Sequence, residues 1–428
     1  MTILYLNDNI INGTIPQDIG NALSHMLFFD LSYNYLTGPL PESIGNMTHM
    51  QDLNMYTNLL TGTLPRVWSQ MRRINELDVN TNLLTGTVPS SYKQFEDILF
   101  FSLYLNHLSG NLDQFLGNFS RARQISIGDN LFTGTIPDLL GTYKHLTELE
   151  LNGNIFTGSL APQLFDLPEL YQFAVSENLL TGTIPAELAS ARQLSQIFMF
   201  GCYFTGSIPS SIGTMNELTE ISMDFNLLSS SIPHSIGVLQ KLQYMYLQSN
   251  MFTGLLPTSL SNLSAIQEMF LQNNRLSGSL HRVFNATIQH QLTIIQVSNN
   301  QLTGSLPEEP FRLPVLNTFV SVSNCFTGTL PSVICNNTQL TSLILDGLHS
   351  ATSCRLQILA PLFRSYYTND RFHGTVPACM FSMNNLSTLH ISGNGLTGSL
   401  PDTITLSHRL LDLTLSHNAL TGTIPMEF

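Results

Sequence analysis

The sequence predicts a repeat solenoid of the α/β type, in which short parallel strands and return segments follow one another along stacked coils. Residues 178–185 read Asn-Leu-Leu-Thr-Gly-Thr-Ile-Pro, and nearly the same residues stand at 58–65 and 82–89. Most copies follow one another at a period of 24 residues, and self-similarity at such a period is typical of stacked coils. One coil of this length cannot bury its own leucines, so each coil is expected to cover the next along a continuous core.

The first asparagine of the motif serves as the anchor of each coil, and the anchors define about eighteen coils. Most anchors are Asn, and the exceptions are Cys202, Leu348 and Asp370. The anchor positions are 9, 34, 58, 82, 106, 130, 154, 178, 202, 226, 250, 274, 300, 324, 348, 370, 394 and 418. An Asn amide both donates and accepts, so a column of them can satisfy backbone groups in coil after coil. Cys202 is therefore interpreted as a buried structural thiol.

Each coil has the same predicted order of elements. Apolar residues three and five before the anchor, such as Leu149 and Leu151 before Asn154, alternate as in a short strand with one buried face. An inward Leu or Phe follows the anchor, then a Thr-Gly turn and a Pro, which is unsuited to a strand interior. The remaining residues are expected to return along the outer side.

This pattern, Leu-x-x-Leu-x-Leu-x-x-Asn-x-Leu-x-Gly-x-Ile-Pro, resembles the plant-type extracellular leucine-rich repeat and covers nearly the whole chain. The resemblance implies a curved right-handed superhelix with a parallel β-sheet on its concave face. It implies a receptor ectodomain, or a secreted inhibitor, of the same class. The motif is specific for the fold and says little about the ligand.

Composition narrows the function further. Charged residues are only 11% of the chain, and the net charge is −13. This acidity argues against nucleic acid and favours basic peptides or cations as partners. No apolar run approaches the roughly 18 residues of a membrane span, so we expect membrane association only through segments outside this chain.

Seven Asn-x-Ser/Thr sequons predict glycosylation and hence an extracellular, cell-surface or cell-wall location: Asn12, Asn46, Asn118, Asn262, Asn285, Asn336 and Asn385. Asn46, Asn118, Asn262 and Asn336 each lie twelve residues before an anchor position, which puts these acceptors at one outer site of the coil. The sequence has no signal peptide, begins in a strand and stops in mid-coil. Because repeat arrays need polar caps, we expect residues 1–428 to be one solenoid and a fragment of a longer protein.

The period breaks in the segment 325–379, which carries Cys325, Cys335, Cys354 and Cys379. Their spacing fits no zinc-finger pattern, so disulfides are predicted. A bridge from Cys354 to Cys335 or to Cys379 is expected to be the easiest sterically. This insert resembles one in leucine-rich-repeat proteins of diatoms and related algae. A smaller insertion lies within 284–291.

Side chains two, four and six residues before each anchor are expected to point away from the core. In coils 9 to 12 these positions, with Ser222 among them, carry a predicted ligand-binding set: Phe198, Phe200, Glu220, Asp224, Tyr244, Tyr246 and Phe270. Outward aromatic residues on a sheet mark a contact surface, although aromatic residues also favour strands for their own packing. In coils 2 to 4 an acidic cluster suggests contact with a cation such as Ca²⁺, or simply a solvated surface: Asp30, Asp52, Glu76 and Asp78.

Threonines on either side of the turn glycine predict two aligned ranks of hydroxyl groups, as at Thr61, Thr63, Thr85 and Thr87. Such ranks resemble those of some ice-binding solenoids and could also meet a mineral or a polysaccharide. Pro39, Asn111 and Leu255 interrupt them.

No catalytic motif, metal-ligand pattern or cofactor motif is present in the sequence, so no enzyme activity, cofactor or metal is expected. Glu148 and Glu150 could imitate a glycosidase pair, but strand residues on an open sheet are expected to offer no cleft. His390 and His417 are interpreted as surface residues.

The sequence therefore predicts a non-catalytic extracellular recognition module that binds a peptide or protein through its concave face. One alternative is a structural or adhesive cell-wall protein that uses glycans, Ca²⁺, ice or mineral contact. Another is a secreted inhibitor of cell-wall-degrading hydrolases.

Overall fold

The computed structural model describes residues 1–347, 356–359, 365–401 and 406–426, which form two compact units. Unit 1 comprises residues 1–205 and unit 2 comprises residues 206–428. Each unit contains a parallel main sheet, a second sheet of short strands and a row of short helices. Cys354 and Leu348 lie outside the described residues.

The main sheet is built from the strands that precede the anchors. In unit 1 they are Ile3–Tyr5, Phe28–Asp30, Asp52–Asn54, Glu76–Asp78, Phe100–Ser102, Gln124–Ser126, Glu148–Glu150, Gln172–Ala174 and Gln196–Phe198. In unit 2 they are Glu220–Ser222, Tyr244–Tyr246, Glu268–Phe270, Ile294–Gln296, Thr318–Val320, Ser342–Ile344, Thr388–His390 and Asp412–Thr414. Within each unit the strands pair in parallel and in register, as Leu53 with Leu77 and Met245 with Met269. The predicted parallel sheet of a leucine-rich-repeat solenoid is therefore confirmed.

The central residue of each main-sheet strand points into the core, as the alternation predicted. Leu77, Ile125 and Met245 are fully buried, whereas their neighbours along the strand are partly exposed or polar. Burial of one face alone fixes the register, because a slip by one residue would turn every apolar side chain outward.

The asparagine anchors form the expected hydrogen-bond column. Asn82 Nδ2 lies 3.0 Å from the Met55 carbonyl of the preceding coil, and it also contacts the Val79 and Asn80 carbonyls. Its Oδ1 accepts from Leu60 N at 2.9 Å. Since the side chain is only 6% exposed, these partners replace water for backbone groups of two coils.

Cys202 occupies an anchor position as a buried thiol, as predicted. Its side chain is 5% exposed and its Sγ lies 3.4 Å from the Val175 carbonyl oxygen. Burial raises the pKa of the Cys202 thiol to about 11, which makes it a poor nucleophile at neutral pH.

The Thr-Gly segment is not a turn, and that prediction is wrong. It forms the second sheet, whose strands in unit 1 are Asn12–Thr14, Tyr35–Pro39, Leu59–Gly62, Leu83–Thr87, His107–Asn111, Leu131–Thr135, Ile155–Gly158 and Leu179–Leu180. Thr205–Gly206 lies at the boundary between the two units. In unit 2 the corresponding strands form separate short sheets, to which we also apply the name second sheet: Leu227–Leu228, Thr253–Leu255, Arg275–Gly278, Gln301–Ser305, Cys325–Thr327, Asn394–Ser399 and Ala419–Thr421. The insert adds Leu356–Leu359 and Ser365–Gly374, which pair antiparallel with each other. The glycine supplies a left-handed residue, as Gly86 does with φ 80°, which bends the strand before the proline.

A proline in extended conformation precedes most of the 3₁₀-helices that form the return segment, as Pro65 and Pro89 do. Proline suits the start of a helix because its φ is preset and its missing N–H needs no partner there. The helices of unit 1 are Glu42–Asn46, Arg66–Gln70, Ser90–Gln94, Leu112–Gln114, Asp138–Thr142, Pro162–Phe165 and Ala186–Ser190, with one α-helical turn at Ile19–Ala22. Those of unit 2 are Ser210–Thr214, His234–Val238, Thr258–Asn262, Glu309–Arg312, Ser332–Asn336 and Ala378–Ser382.

The insert in unit 2 corrects the number of coils. The described residues contain seventeen main-sheet strands, one fewer than the eighteen predicted coils. Ser342 pairs directly with Thr388, so the described residues between them belong to one enlarged coil. Asp370 is exposed, and the neighbouring Asn369 takes the anchor role because its Nδ2 donates to the Phe326 carbonyl at 2.8 Å.

The disulfide pairing also differs from the expectation. Cys335 is bonded to Cys379, with Cα atoms 5.8 Å apart, so Cys354 pairs with neither of them. The physical reason is the enlarged coil, because it brings the helices Ser332–Asn336 and Ala378–Ser382 onto adjacent coils.

Candidate functional site

The outward positions of the main-sheet strands form a polar surface, which we call the sheet face. Its residues lie two, four and six positions before each anchor. Its acidic residues are Asp30, Asp52, Glu76, Asp78, Glu148, Glu150, Glu220, Asp224, Glu268, Asp346 and Asp412. None of these positions in the described strands carries Lys or Arg. In each unit the described sheet face thus carries carboxylates but no lysine or arginine that would neutralise them.

Lysine and arginine side chains lie beside the sheet face rather than on it. Arg121 pairs with Asp97 at 2.8 Å, and Lys144 pairs with Asp166 at 2.6 Å. The four residues lie on the segments that lead into the main-sheet strands, several residues before each strand begins. Their charges are therefore neutralised within these pairs, beside the sheet face. The carboxylates of the face remain available to a positively charged partner.

Unit 1 contains a groove on the sheet face with a volume of 680 Å³. Small side chains form part of its floor, because Ser102, Ser126, Ala174 and Ser176 stand where other coils carry long residues. The larger residues that line it are Glu76, Asp78, Asn80, Phe100, Tyr104, Gln124, Glu150, Asn152, Gln172, Glu177, Phe198 and Phe200. The expectation that the open sheet offers no cleft is therefore wrong.

Two carboxylates of the groove are held by neighbouring side chains. Glu150 Oε2 accepts from Ser126 Oγ at 2.6 Å, and its Oε1 accepts from Gln172 Nε2 at 2.7 Å. Asp78 accepts from the backbone N and the side-chain Nδ2 of Asn80. These contacts fix the negative charges in place before any ligand arrives.

Burial raises the pKa of Asp78 to about 6, and the nearby Glu76 contributes in the same direction. Hydrogen bonds from Asn80 and Ser102 lower it in part. The pKa of Glu76 is raised by burial and by Asp52, against a hydrogen bond from Asn54. A cation placed in this part of the groove would stabilise the charged form of both groups.

Aromatic residues line two parts of the groove. Phe100 is 38% exposed, and Tyr104 lines the groove near it. A hydrogen bond to Asp129 raises the pKa of Tyr104 to about 12, together with burial. Phe198 and Phe200, which the sequence singled out, line the same groove and are partly exposed.

The acidic cluster of unit 1 has the predicted neighbours. Asp52 pairs with Glu76 across adjacent strands, and Asn54 separates Asp30 from Asp78. Asp30 accepts from Ser32 N and Ser32 Oγ. Among the residues that the structure describes, no three His, Cys, Asp or Glu side chains converge as a metal site would require.

Unit 2 contains the rest of the predicted ligand-binding set, arranged around three rings. We call Tyr244, Tyr246 and Phe270, with Glu220 and Glu268, the aromatic patch of unit 2. The Tyr244 and Tyr246 rings are stacked with centroids 6.3 Å apart, and Tyr246 and Phe270 are 5.4 Å apart. All five side chains are partly exposed.

Asp224 and His390 differ from their predictions. Asp224 is only 7% exposed and accepts from Ser222 Oγ at 2.7 Å, so it is not an open contact residue. His390 is partly buried between two carboxylates, with Nε2 2.8 Å from Asp412 Oδ2 and Nδ1 3.9 Å from Asp346 Oδ2. Reading single columns of residues does not reveal the diagonal contacts of His390 with carboxylates of the neighbouring coils. His417 is exposed.

The threonine ranks are not aligned as predicted. Thr87 pairs with Ser109 and Thr61 pairs with Leu83, so each strand of the second sheet is displaced by two residues from its neighbour. Several of these hydroxyls also donate to a glycine carbonyl of the preceding coil, as Thr205 Oγ1 does to Gly182 at 3.1 Å. A regular lattice of free hydroxyls is therefore not formed.

Five of the seven sequon asparagines are exposed. Asn46, Asn262 and Asn336 are each the last residue of a 3₁₀-helix, and all three are exposed, as are Asn12 and Asn118. Asn385 and Asn285 are partly buried, and Asn385 already donates to the Thr338 carbonyl at 2.7 Å. Glycosylation itself stays a prediction.

The coil structure, the amide column and the polar sheet face together define a leucine-rich-repeat solenoid. Residues 25–47, 241–263, 291–313 and 385–406 match the family model of the Leucine Rich Repeat. Receptor-like protein 7 of Arabidopsis thaliana is 32% identical over 112 residues, which are 26% of this chain and 11% of that protein. The match thus spans about a tenth of that relative's length.

Solved structures of plant receptors share the fold. The plant peptide hormone receptor RGFR1 in complex with RGF2 has a TM-score of 0.83 at 27% identity, over 98% of this chain and 67% of that chain. The PEPR1–AtPEP1 structure has a TM-score of 0.71 at 26% identity, over 100% of this chain and 67% of that one. The chain is therefore similar to extracellular leucine-rich-repeat ectodomains of plant receptors. The described residues contain no helix long and apolar enough to cross a membrane.

Proposed function

We propose that this chain is the ligand-recognition part of an extracellular, receptor-like protein and that it binds a peptide or protein segment through the sheet face. The observation that carries the proposal is the groove of unit 1. It combines aromatic walls, fixed carboxylates and a floor of small residues, which suits an extended chain with basic side chains. The peptide complexes of similar receptor structures support the same class of ligand.

The proposed role is binding without catalysis. Both carboxylate oxygens of Asp78 accept hydrogen bonds from Asn80. Both oxygens of Glu150 are also engaged as hydrogen-bond acceptors, which favours a positioning role over proton transfer.

The alternatives find less support in these residues. Staggered hydroxyls favour neither ice nor a mineral lattice, and the acidic cluster contains no converging ligands for Ca²⁺ among the described residues. Binding to a polysaccharide, or inhibition of a cell-wall-degrading hydrolase, would be separated from peptide recognition by direct assays with those partners.

A random 12-residue peptide library displayed on phage, selected on the purified chain, tests the proposal. Ala174 is 5% exposed and lines the groove, so Ala174→Trp would fill it. Selected peptides should be rich in Lys or Arg and should lose at least tenfold in affinity for Ala174→Trp. Thr181→Trp, at an exposed position in the Thr-Gly segment, serves as the control and should bind as the parent does. Peptides that bind all three proteins equally, or a selection without enrichment, would contradict groove recognition.

A further inference from the structure

The aromatic patch of unit 2 presents ring faces and ring edges at a partly exposed site. Tyr244 and Tyr246 are two residues apart on one strand, with an interplanar angle of 15°, and Phe270 stands beside Tyr246 on the next strand. The tyrosine hydroxyls are tied down, because Tyr246 Oη donates to Glu268 Oε2 at 2.7 Å and Tyr244 Oη to Gln267 Oε1 at 3.2 Å. The rings are therefore held in place, and a ligand would lose little by ordering them.

Two carboxylates flank the first ring of the patch. The strand register places Glu220 on one side of Tyr244 and Glu268 on the other. Burial raises the pKa of Glu220, and the charge of Glu268 adds to this rise. The two negative charges thus oppose each other across a ring, an arrangement that a cation between them would stabilise.

The described residues of unit 2 supply no lysine or arginine at the outward positions of their strands. Lys241, on the segment that leads into the strand of Tyr244, is paired with Glu217 outside the sheet face. Arg275 is exposed in the second sheet, after the anchor of its coil. The charge needed to complement Glu220 and Glu268 is therefore expected from a partner.

A guanidinium group fits this site better than an ammonium group or a metal ion. Its plane stacks on an aromatic face, and its fork of N–H groups pairs with a carboxylate at the same time. An ammonium group is a strongly hydrated point charge and gains less from the rings. No three acidic, histidine or cysteine side chains converge in the described part of the chain, so a metal ion would lack ligands.

We infer that the aromatic patch of unit 2 is a subsite for an arginine side chain of a basic peptide segment, with the guanidinium over Tyr244 between Glu220 and Glu268. This inference rests on the proposed function in one respect, because it also assumes that a ligand binds to outward side chains of the main sheet. It does not depend on the groove, because the groove belongs to unit 1 and the patch to unit 2.

Fluorescence anisotropy with labelled hexa-arginine, hexa-lysine and hexa-citrulline tests the inference. Every protein compared, the parent included, carries Ala174→Trp so that the groove of unit 1 is filled. Citrulline keeps the shape of arginine without its charge. The parent chain should bind hexa-arginine at least threefold more tightly than hexa-lysine and should not bind hexa-citrulline measurably. Tyr244→Leu and the double variant Glu220→Gln/Glu268→Gln should each weaken hexa-arginine binding about tenfold and abolish its preference over hexa-lysine.

Two controls separate recognition from loss of folding and from general electrostatics. Tyr244→Phe keeps the ring and should retain the preference for arginine. Asp30→Asn/Asp52→Asn removes the same charge from unit 1 and should weaken both basic peptides alike, with the preference intact. Equal binding of hexa-arginine and hexa-lysine by the parent, or an unchanged preference in Tyr244→Leu, would overturn the inference. The groove test with Ala174→Trp could still succeed in that case.

Discussion

The groove of unit 1 and the aromatic patch of unit 2 are built from the same type of coil but carry side chains of different size at their outward positions. In the groove, Ser126 and Ala174 have small side chains that leave space above the sheet, whereas in the patch Tyr244 and Phe270 have large side chains that fill it. The inward residues of both regions follow one apolar pattern and are buried alike. The difference shows that inward positions determine the coil, while outward positions determine what the coil can bind.

The largest expected effect concerns the disulfide between Cys335 and Cys379 in unit 2. Replacing both Cys335 and Cys379 with Ser opens a loop of 44 residues and should destabilise unit 2 by about 4 kcal/mol. Trp68, the single tryptophan, is buried in unit 1 and reports on that unit alone. The denaturant concentration at which the chain unfolds should therefore fall when unfolding is followed by circular dichroism. The same midpoint should stay nearly unchanged when unfolding is followed by Trp68 fluorescence. An equal shift in both signals would show that the two regions do not unfold separately.

A substitution at an anchor tests whether inward positions determine stability and outward positions do not. Asn130 Nδ2 contacts three backbone carbonyls, including that of Leu103 at 2.9 Å, and its Oδ1 accepts from Leu108 N. The three carbonyls keep other donors, such as Asn106 Nδ2 for Leu103, but Asn130→Ala removes the acceptor of the buried Leu108 N. The variant should therefore cost about 2 kcal/mol of the free energy of unfolding of unit 1. Asn152→Ala, at an outward position lining the groove, is the matched control and should cost less than about 1 kcal/mol. Similar losses from both variants would contradict the assignment of roles.

The stability of unit 1 should also depend on pH through Asp78 in the groove. The pKa of Asp78 is about 6 in the folded chain and lies above its ordinary value, because burial disfavours the charged form. The folded state therefore binds the proton more tightly, so this contribution to stability grows as pH falls from 7 toward 4 and is lost as pH rises through 6. Asp78→Asn should flatten this part of the Trp68 unfolding profile. The prediction fails if the parent and the variant have the same pH dependence.

The smallest expected effect concerns a strained residue beside an anchor. Thr81 has φ 51°, a left-handed conformation that a β-branched side chain adopts at a cost. Thr81→Asn should stabilise unit 1 by about 1 kcal/mol, since Asn tolerates this region better. Thr85→Asn in the following strand should give no such gain. Loss of stability in Thr81→Asn would show that the threonine side chain has a role beyond its backbone.

Much of the scaffold follows from local pattern. Residues equivalent to Leu77 and Asn82 recur at the period of the repeat. Because each coil buries the next, these equivalent residues must take the same place in every coil. The second sheet was missed because a Thr-Gly pair is typical of turns, and only the adjacent coils supply the hydrogen bonds that make it a strand. The repeat period places an anchor at Asp370. In the enlarged coil the anchor role falls to Asn369 instead, because its side-chain amide donates to the Phe326 carbonyl.

The candidate site was only partly accessible from the sequence. The sequence singled out Phe198 and Tyr246 because large aromatic residues are conspicuous at outward positions. The floor of the groove was missed because Ser126 and Ala174 act by being small, which becomes visible only beside their larger neighbours. A combined search for acidic, aromatic and small residues over adjacent coils would have pointed to it. The single-array prediction for 1–428 and the algal resemblance of the insert stay predictions.

The most direct measurement of the central claim is a crystal structure of the chain with a peptide selected in the phage experiment. We expect the peptide to lie on the sheet face, with basic side chains near Asp78 or Glu150 in unit 1 or over Tyr244 in unit 2. A peptide bound instead to the Thr-Gly strands or to the outer helices would contradict recognition through the sheet face.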